Sequence, residues 1–259
     1  MRLSQKIVRD TATYLGHAAG LRASQLMFGS DRPAVVTGTI ATARVRQAVE
    51  DYRAGFMKTT ELCRLMHGYG SDKGIGRHNY AIFYTRILEG LRNEPLAIFE
   101  LGIGTNNVKL KSNMGRHGKP GASLYGWRDY LPQASIFAAD IDRAILFKDE
   151  RIATFYCDQT SAEAVTALWA NAPLDTTAFD LIIDDGLHEF HANRNFLEHS
   201  WQKVKPGGLL IVEDILGSDR QAWYDYVKTW SQPGTNLSFI ELPHPYNFVS
   251  NNIACLERL

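Results

Sequence analysis

Two acidic doublets dominate the chemistry this chain can offer. Asp184-Asp185 is followed by Gly186-Leu187-His188, and Glu213-Asp214 closes a later apolar run. Carboxylates held close together raise one another's pKa unless a cation compensates. A donor set made only of oxygens favours a hard divalent ion such as magnesium. Asp185, Glu213 and Asp214 are therefore candidate ligands. His188 lies three residues past Asp185, beyond a glycine turn, where an imidazole can act as a general base. A plainer alternative has some of these acids capping helices or pairing with Arg194 or Lys203. Neighbouring residues of a strand point to opposite faces, so Glu213 and Asp214 share one ion only if their strand has already ended.

Earlier apolar runs end in further candidates. The segment Glu100-Leu101-Gly102-Ile103-Gly104-Thr105-Asn106 has two glycines that let backbone approach a ligand closely. Gly102, Gly104 and Asn106 are taken as cofactor contacts. The full GxGxxG dinucleotide pattern is absent, because residue 107 is Asn. Asp140 closes the next run, where a carboxylate can accept both hydroxyls of an adenosine ribose. Asp158 and Gln159 follow the third run and can bond an adenine edge or cap the next helix. A polar, glycine-rich insertion at 107–119 separates the glycine turn from Asp140. Long loops in compact domains tend to be lids or binding loops. His191 and His199 read as surface or packing residues.

The elements that position these residues follow from the pattern. Apolar runs at 96–104, 134–142, 153–160, 179–186 and 207–215 alternate with helical stretches at 122–131, 161–171 and 190–204. Such alternation predicts parallel strands with helical crossovers. Two final strand-like runs, 237–243 and 251–259, are joined by HPYNFVS and predict an antiparallel pair. The expected fold is α/β: a Rossmann-like seven-stranded, mostly parallel sheet with a C-terminal antiparallel hairpin, plus a helical N-terminal segment. Ligands of such sheets bind at the carboxyl ends of the strands.

Residues 1–66 show helical spacing in Val8, Ala12, Leu15 and Ala19, and again in Val45, Val49, Tyr52 and Phe56. The stretch SDRPAVVTGT breaks the two. This segment names no chemistry and is expected to be a packing cap or an oligomer contact, which makes a homo-oligomer the expected assembly. Residues 67–259 are expected to form the main domain.

Lys plus Arg and Asp plus Glu each number 28 in 259 residues, so the net charge is zero. That balance argues against a nucleic-acid partner, which needs a basic surplus. No apolar run of about 18 residues predicts a membrane span, and the N-terminus is a poor signal peptide. Three widely spaced cysteines fit neither a disulfide framework nor a zinc pattern. A reducing cytoplasm is the simplest location.

With these residues in view, the chain from about residue 68 onward resembles the class I S-adenosylmethionine-dependent methyltransferases. It is similar in particular to the metal-dependent macrolide sugar O-methyltransferases of the mycinamicin and macrocin type, and more loosely to surface-polysaccharide relatives. Four blocks carry the resemblance: Gly70 to Gly74 with His78-Asn79-Tyr80 and Tyr84; Gly121 to Leu124 with Trp127 and Tyr130; Ile183 to His188, with Leu187 where the family has Ser; and Pro206-Gly207-Gly208 through Glu213-Asp214. It implies S-adenosylmethionine as cofactor, held by Gly102, Gly104 and Asp140, with Tyr80 closing over it. It implies Mg2+ bound by Asp185, Glu213 and Asp214, His188 as base, and a small-molecule or saccharide hydroxyl as acceptor. The insertion and the N-terminal segment depart from the family pattern and leave the acceptor open. The alternatives are a metal-independent methyltransferase and a non-catalytic subunit with the same fold.

Overall fold

The computed structural model describes residues 37–38, 41–54, 59–74, 77–242, 244, 247 and 250–259. The helical spacing at Val8, Ala12, Leu15, Ala19 and Phe56 lies outside the described residues. Nine strands form one sheet in the order β1-β8-β9-β7-β6-β2-β3-β5-β4. The parallel centre is β7 (Val204–Val212), β6 (Phe179–Asp184), β2 (Ala97–Leu101), β3 (Ser135–Asp140) and β5 (Ile152–Tyr156). β8 (Thr235–Glu241) and β9 (Asn252–Arg258) form the antiparallel hairpin, and β9 pairs antiparallel with β7. These seven strands match the expected set. Two-residue strands β1 (Thr37–Gly38) and β4 (Lys148–Asp149) extend the two edges.

Every residue of β2 is buried, as a parallel strand covered on both faces requires. One face carries α1 (Ala43–Ala54), α2 (Glu61–Tyr69), α3 (Tyr80–Ile87) and α4 (Ala122–Tyr130), whose apolar side chains share a core with Ile98, Ile183 and Ile211. The other carries α5 (Ala162–Trp169), α6 (Phe190–Ser200) and α7 (Arg220–Thr229), packed on Phe99, Ile182 and Leu210. α1 buries Val45, Ala48, Val49 and Tyr52, one stripe at helical spacing. It belongs to the same core as the sheet, and α2 runs across the expected boundary at residues 66 and 67. Among the described residues, no helix is long and apolar enough to cross a membrane.

Register puts the functional strand ends side by side. Leu101 pairs with Asp184, and Asp184 with Val212. The ladder runs one residue past each strand: Asp185 N–H donates to Leu101 O, and Glu213 N–H to Asp184 O, both at 2.8 Å. The contact at Gly102 leaves no room for a side chain. Its φ is 84°, and a Cβ there would collide with the Asp185 carbonyl.

Candidate active site

A cavity of about 720 Å³ opens at the carboxyl edge of the parallel strands. Its floor is the glycine turn Gly102–Gly104, with Asp140, Ile141, Cys157, Asp158 and Gln159 on one side and Asp185, His188 and Asp214 on the other. Its mouth is formed by Gly70–Asp72, Arg77 and much of the insertion, from Leu110 to Met114 and from His117 to Lys119. The insertion therefore borders the cavity, as its exit from the first parallel strand requires.

Asp140 braces the glycine turn. Its Oδ2 accepts from Ile103 N–H and its Oδ1 from Asp142 N–H, each at 2.9 Å. Burial pushes its pKa up, while these amides favour the ionised form. A carboxylate has about four acceptor sites, so two amides leave room for a ligand's hydroxyls. Ile141 beside it is 44% exposed, an apolar surface facing the cavity.

The residues near Asp158 divide. Asp158 lines the cavity and accepts from Thr160 at 2.9 and 2.7 Å. Gln159 also lines it, yet its amide is engaged at both ends. Nε2 donates to both oxygens of Asp184 at 2.7 Å, and Oε1 accepts from Leu187 N–H at 2.8 Å. Asp184 is fully buried, with a further bond from Asn193 at 3.0 Å. Burial raises its pKa to about 7 against these donors. Gln159 thus serves the turn that presents His188, and its amide is not free for an adenine edge. Asn106 lies outside the cavity lining, for its amide donates to Gly115 O at 2.6 Å and Gly118 O at 3.0 Å.

The two acidic doublets converge, with one change of partner. Asp214 adopts φ 52°, in the left-handed region, so the chain turns as soon as β7 ends. That turn removes the alternation that would aim Glu213 and Asp214 at opposite faces. Single oxygens of Asp185 and Asp214 and a nitrogen of His188 lie within 4.8 Å of one another. Glu213 does not join them. It is 1% exposed, accepts from Tyr84 at 2.7 Å, and is held by the ammonium of Lys73, which also contacts Asp185 and lies 3.5 Å from Glu100. Glu100 in turn accepts from Ser123 at 2.7 Å and Trp127 at 2.6 Å. Burial opposes the charge on Lys73, but the surrounding carboxylates outweigh it and hold the ammonium protonated. Burial likewise opposes ionisation of Asp185, and Lys73 with His188 more than offsets it. Burial pushes Glu213 up despite Lys73.

Two histidines flank the pair of cavity acids. His78 Nδ1 lies 2.9 Å from Asp214 Oδ1, and its ring stacks on Tyr80 at 5.1 Å. Tyr80 is buried outside the cavity lining and donates to Asp214 at 2.9 Å. It fixes Asp214 and does not border the space a cofactor would fill. His188 takes φ 60°, and its Nε2 lies 3.3 Å from Asp185 Oδ1 without hydrogen-bond geometry. Burial pulls the His188 pKa down, but Asp185 and Asp214 carry it up to about 9. His191 is exposed, and His199 bonds the Asn195 carbonyl on its own helix, so neither enters the site.

Residues 112–215 match the family described as methyltransferase domain. The chain carries a class I methyltransferase domain, similar to the S-adenosylmethionine-dependent macrolide sugar O-methyltransferases. Among curated relatives, L-olivosyl-oleandolide 3-O-methyltransferase of Streptomyces antibioticus is 30% identical over 188 residues, 72% of this chain and 45% of that protein. Mycinamicin VI 2''-O-methyltransferase of Micromonospora griseorubida is 28% identical over 202 residues, 76% of this chain and 47% of that protein. The chain spans about half the length of these relatives. In fold, the methyltransferase domain is similar to the MycE methyltransferase of the mycinamycin biosynthetic pathway, solved in complex with Mg and SAH. The TM-score is 0.55 at 23% identity, covering 80% of this chain and 57% of that one.

The residues of the domain fit a cation of the magnesium class. Asp185 and Asp214 supply hard oxygen donors that lie within 4.8 Å of one another. Lys73 was missed as a site residue in the sequence. Its position in the Gly70 to Gly74 block, which carries the family resemblance, is the available signal.

Proposed function

We propose that this chain is an S-adenosylmethionine-dependent O-methyltransferase, assisted by magnesium, that acts on a hydroxyl of a sugar or glycosylated acceptor. Support for the activity comes from the curated relatives, whose names specify O-methylation of sugar-bearing compounds. Support for the metal comes from the Asp185, His188 and Asp214 cluster and from the Mg in the MycE complex.

When bound, S-adenosylmethionine supplies an electrophilic methyl group, and a divalent cation lowers the pKa of a hydroxyl beside it. The chain's own residues align the reactants and move the proton. Gly102 and Gly104 allow close approach at the floor, and Asp140 accepts the ribose hydroxyls. Asp185 and Asp214 hold the cation. His188 Nε2 would take the proton of the acceptor hydroxyl, whose oxygen a bound S-adenosylmethionine would methylate.

The observation that carries this reading is the buried, unpartnered Nε2 of His188 at the cavity floor, 3.3 Å from Asp185. His188→Ala is expected to lower turnover roughly 10²–10⁴-fold while S-adenosylhomocysteine binds as before. Turnover within a few-fold of the parent would remove His188 as the base, and activity unchanged by a chelator would remove the metal.

A further inference from the structure

The cavity is divided by charge, and the division points to the acceptor. Its floor is acidic, with Asp140, Asp185 and Asp214 at the strand ends. Its mouth is basic. The insertion at 107–119 contains Lys109, Lys111, Arg116 and Lys119 and no acidic residue, in a chain of zero net charge. Of these, Lys111 and Lys119 line the cavity, together with His117 and Arg77. Among the described residues Lys119 and Arg77 have no ion pair, whereas Lys111 contacts Glu189. That pair is exposed, and exposed pairs exchange partners at little cost.

The insertion is a built frame, which distinguishes it from a solvated charge run. Asn106 holds the Gly115 and Gly118 carbonyls, Met114 N–H donates to Thr105 O at 2.9 Å, and Gly121 N–H donates to Ile103 O at 2.7 Å. The stem of Lys119 leans over Gly70. A Cβ placed on Gly70 would sit 3.0 Å from Lys119 Cδ and 3.5 Å from Nζ. This brings a cation of the insertion against the segment that leads to Arg77.

We infer that the acceptor is an anionic saccharide, bearing a phosphate or a carboxylate, whose charged group is held at the mouth by Arg77 and Lys119. The inference rests on the methyltransferase reading and adds the substrate class. The arrangement orients such a molecule: the cations at the mouth hold its charged group, so a neutral hydroxyl points inward toward His188. Charges separated by less than a Debye length of about 8 Å at physiological salt act on one another with little screening.

The test uses the full chain saturated with S-adenosylhomocysteine, with binding of glucose 1-phosphate, glucuronate and methyl glucoside compared by NMR titration. Both anionic sugars are expected to bind about tenfold or more tightly than methyl glucoside, the scale of a charge-assisted hydrogen bond. Their advantage should shrink as salt rises, and preference for one of them identifies phosphate or carboxylate as the group recognised. Arg77→Gln with Lys119→Gln should bring the three probes together and leave S-adenosylhomocysteine affinity within about twofold. Equal binding of neutral and anionic probes to the parent overturns the inference. So does a double variant that keeps its preference, or one that loses S-adenosylhomocysteine instead, because the mouth would then serve the cofactor's own carboxylate. Failure of the parent to bind S-adenosylhomocysteine at all would overturn the underlying methyltransferase reading, a distinct result.

Discussion

Lys73 Nζ lies 2.5 Å from Glu213 Oε2, with side-chain exposures of 2% and 1%. This buried contact decides which carboxylates remain for a metal. Glu213 is held by Lys73 and Tyr84, one on each oxygen, while Asp185 offers Lys73 one oxygen and faces His188 with the other. Removing one member of a buried ionic cluster leaves uncompensated charge in a low-dielectric interior. Lys73→Met is therefore expected to lower the unfolding free energy by about 3–5 kcal/mol. Adding Glu213→Gln should return part of that loss, since one stranded carboxylate is then neutral. Denaturant titration of the single and double variants checks both points. A loss below about 1 kcal/mol in the single variant would mean that Lys73 is not the charge partner.

The division between Asp214 and Glu213 can be read separately from stability. Asp185→Asn and Asp214→Asn should each weaken Mg2+ binding by about tenfold or more, as expected for loss of a charged donor. Glu213→Gln should lower the Tm and leave Mg2+ affinity within a few-fold. Calorimetric titration with magnesium alone separates the two outcomes. Equal losses in all three variants would restore Glu213 to the ligand set.

Asp140 and Gln159 stand close in the cavity wall and are expected to fail differently. Asp140→Ala removes a charged acceptor and should weaken S-adenosylhomocysteine by on the order of 1.5–3 kcal/mol, roughly tenfold or more. Gln159→Leu strips two donated bonds from buried Asp184 and one acceptor from Leu187 N–H. An unsatisfied buried polar group costs about 1–3 kcal/mol, so this variant should lose stability first. Paired measurements of Tm and cofactor affinity on both variants decide the matter. A Gln159→Leu protein of parental stability with weak cofactor binding would reverse the assignment.

The contrast between these residues shows what the sequence could carry. Parallel strands buried on both faces advertise themselves, and acids or glycines at their ends mark the carboxyl edge, so the placement of Gly102, Asp140, Asp185 and His188 at the cavity was legible. Glu213 was legible as an acid at a strand end. Its partner was not, because Lys73 lies 140 positions away and no local pattern links them. Asn106 and Gln159 are harder to read for a related reason. Their residue types suit a ligand, yet an amide satisfies backbone or a buried carboxylate equally well. Helix α7 escaped notice because only Trp223 and Val227 of its ten residues are buried, too few for a readable stripe.

The insertion gives the last test, because Asn106 is expected to act on it and not on the cofactor. Its amide protons hold the carbonyls of Gly115 and Gly118, and the fold of the loop brings Met114 against Gly104. Asn106→Ala removes both bonds. The backbone bond from Met114 N–H to Thr105 O, at 2.9 Å, is then the main tie between the loop and the glycine turn. Local opening free energies scale with the interactions that hold a segment closed. Each intramolecular hydrogen bond contributes about 0.5–1.5 kcal/mol, so exchange at the Met114 amide should speed by roughly tenfold or more. The Ile182 amide, in the centre of the sheet, should not change and serves as the internal control. Affinity for S-adenosylhomocysteine should fall only slightly, because Asn106 does not line the cavity. Hydrogen exchange followed by NMR reads both amides in one experiment. If Met114 stays as protected as in the parent, the loop is held by its own turns and Asn106 is not its anchor.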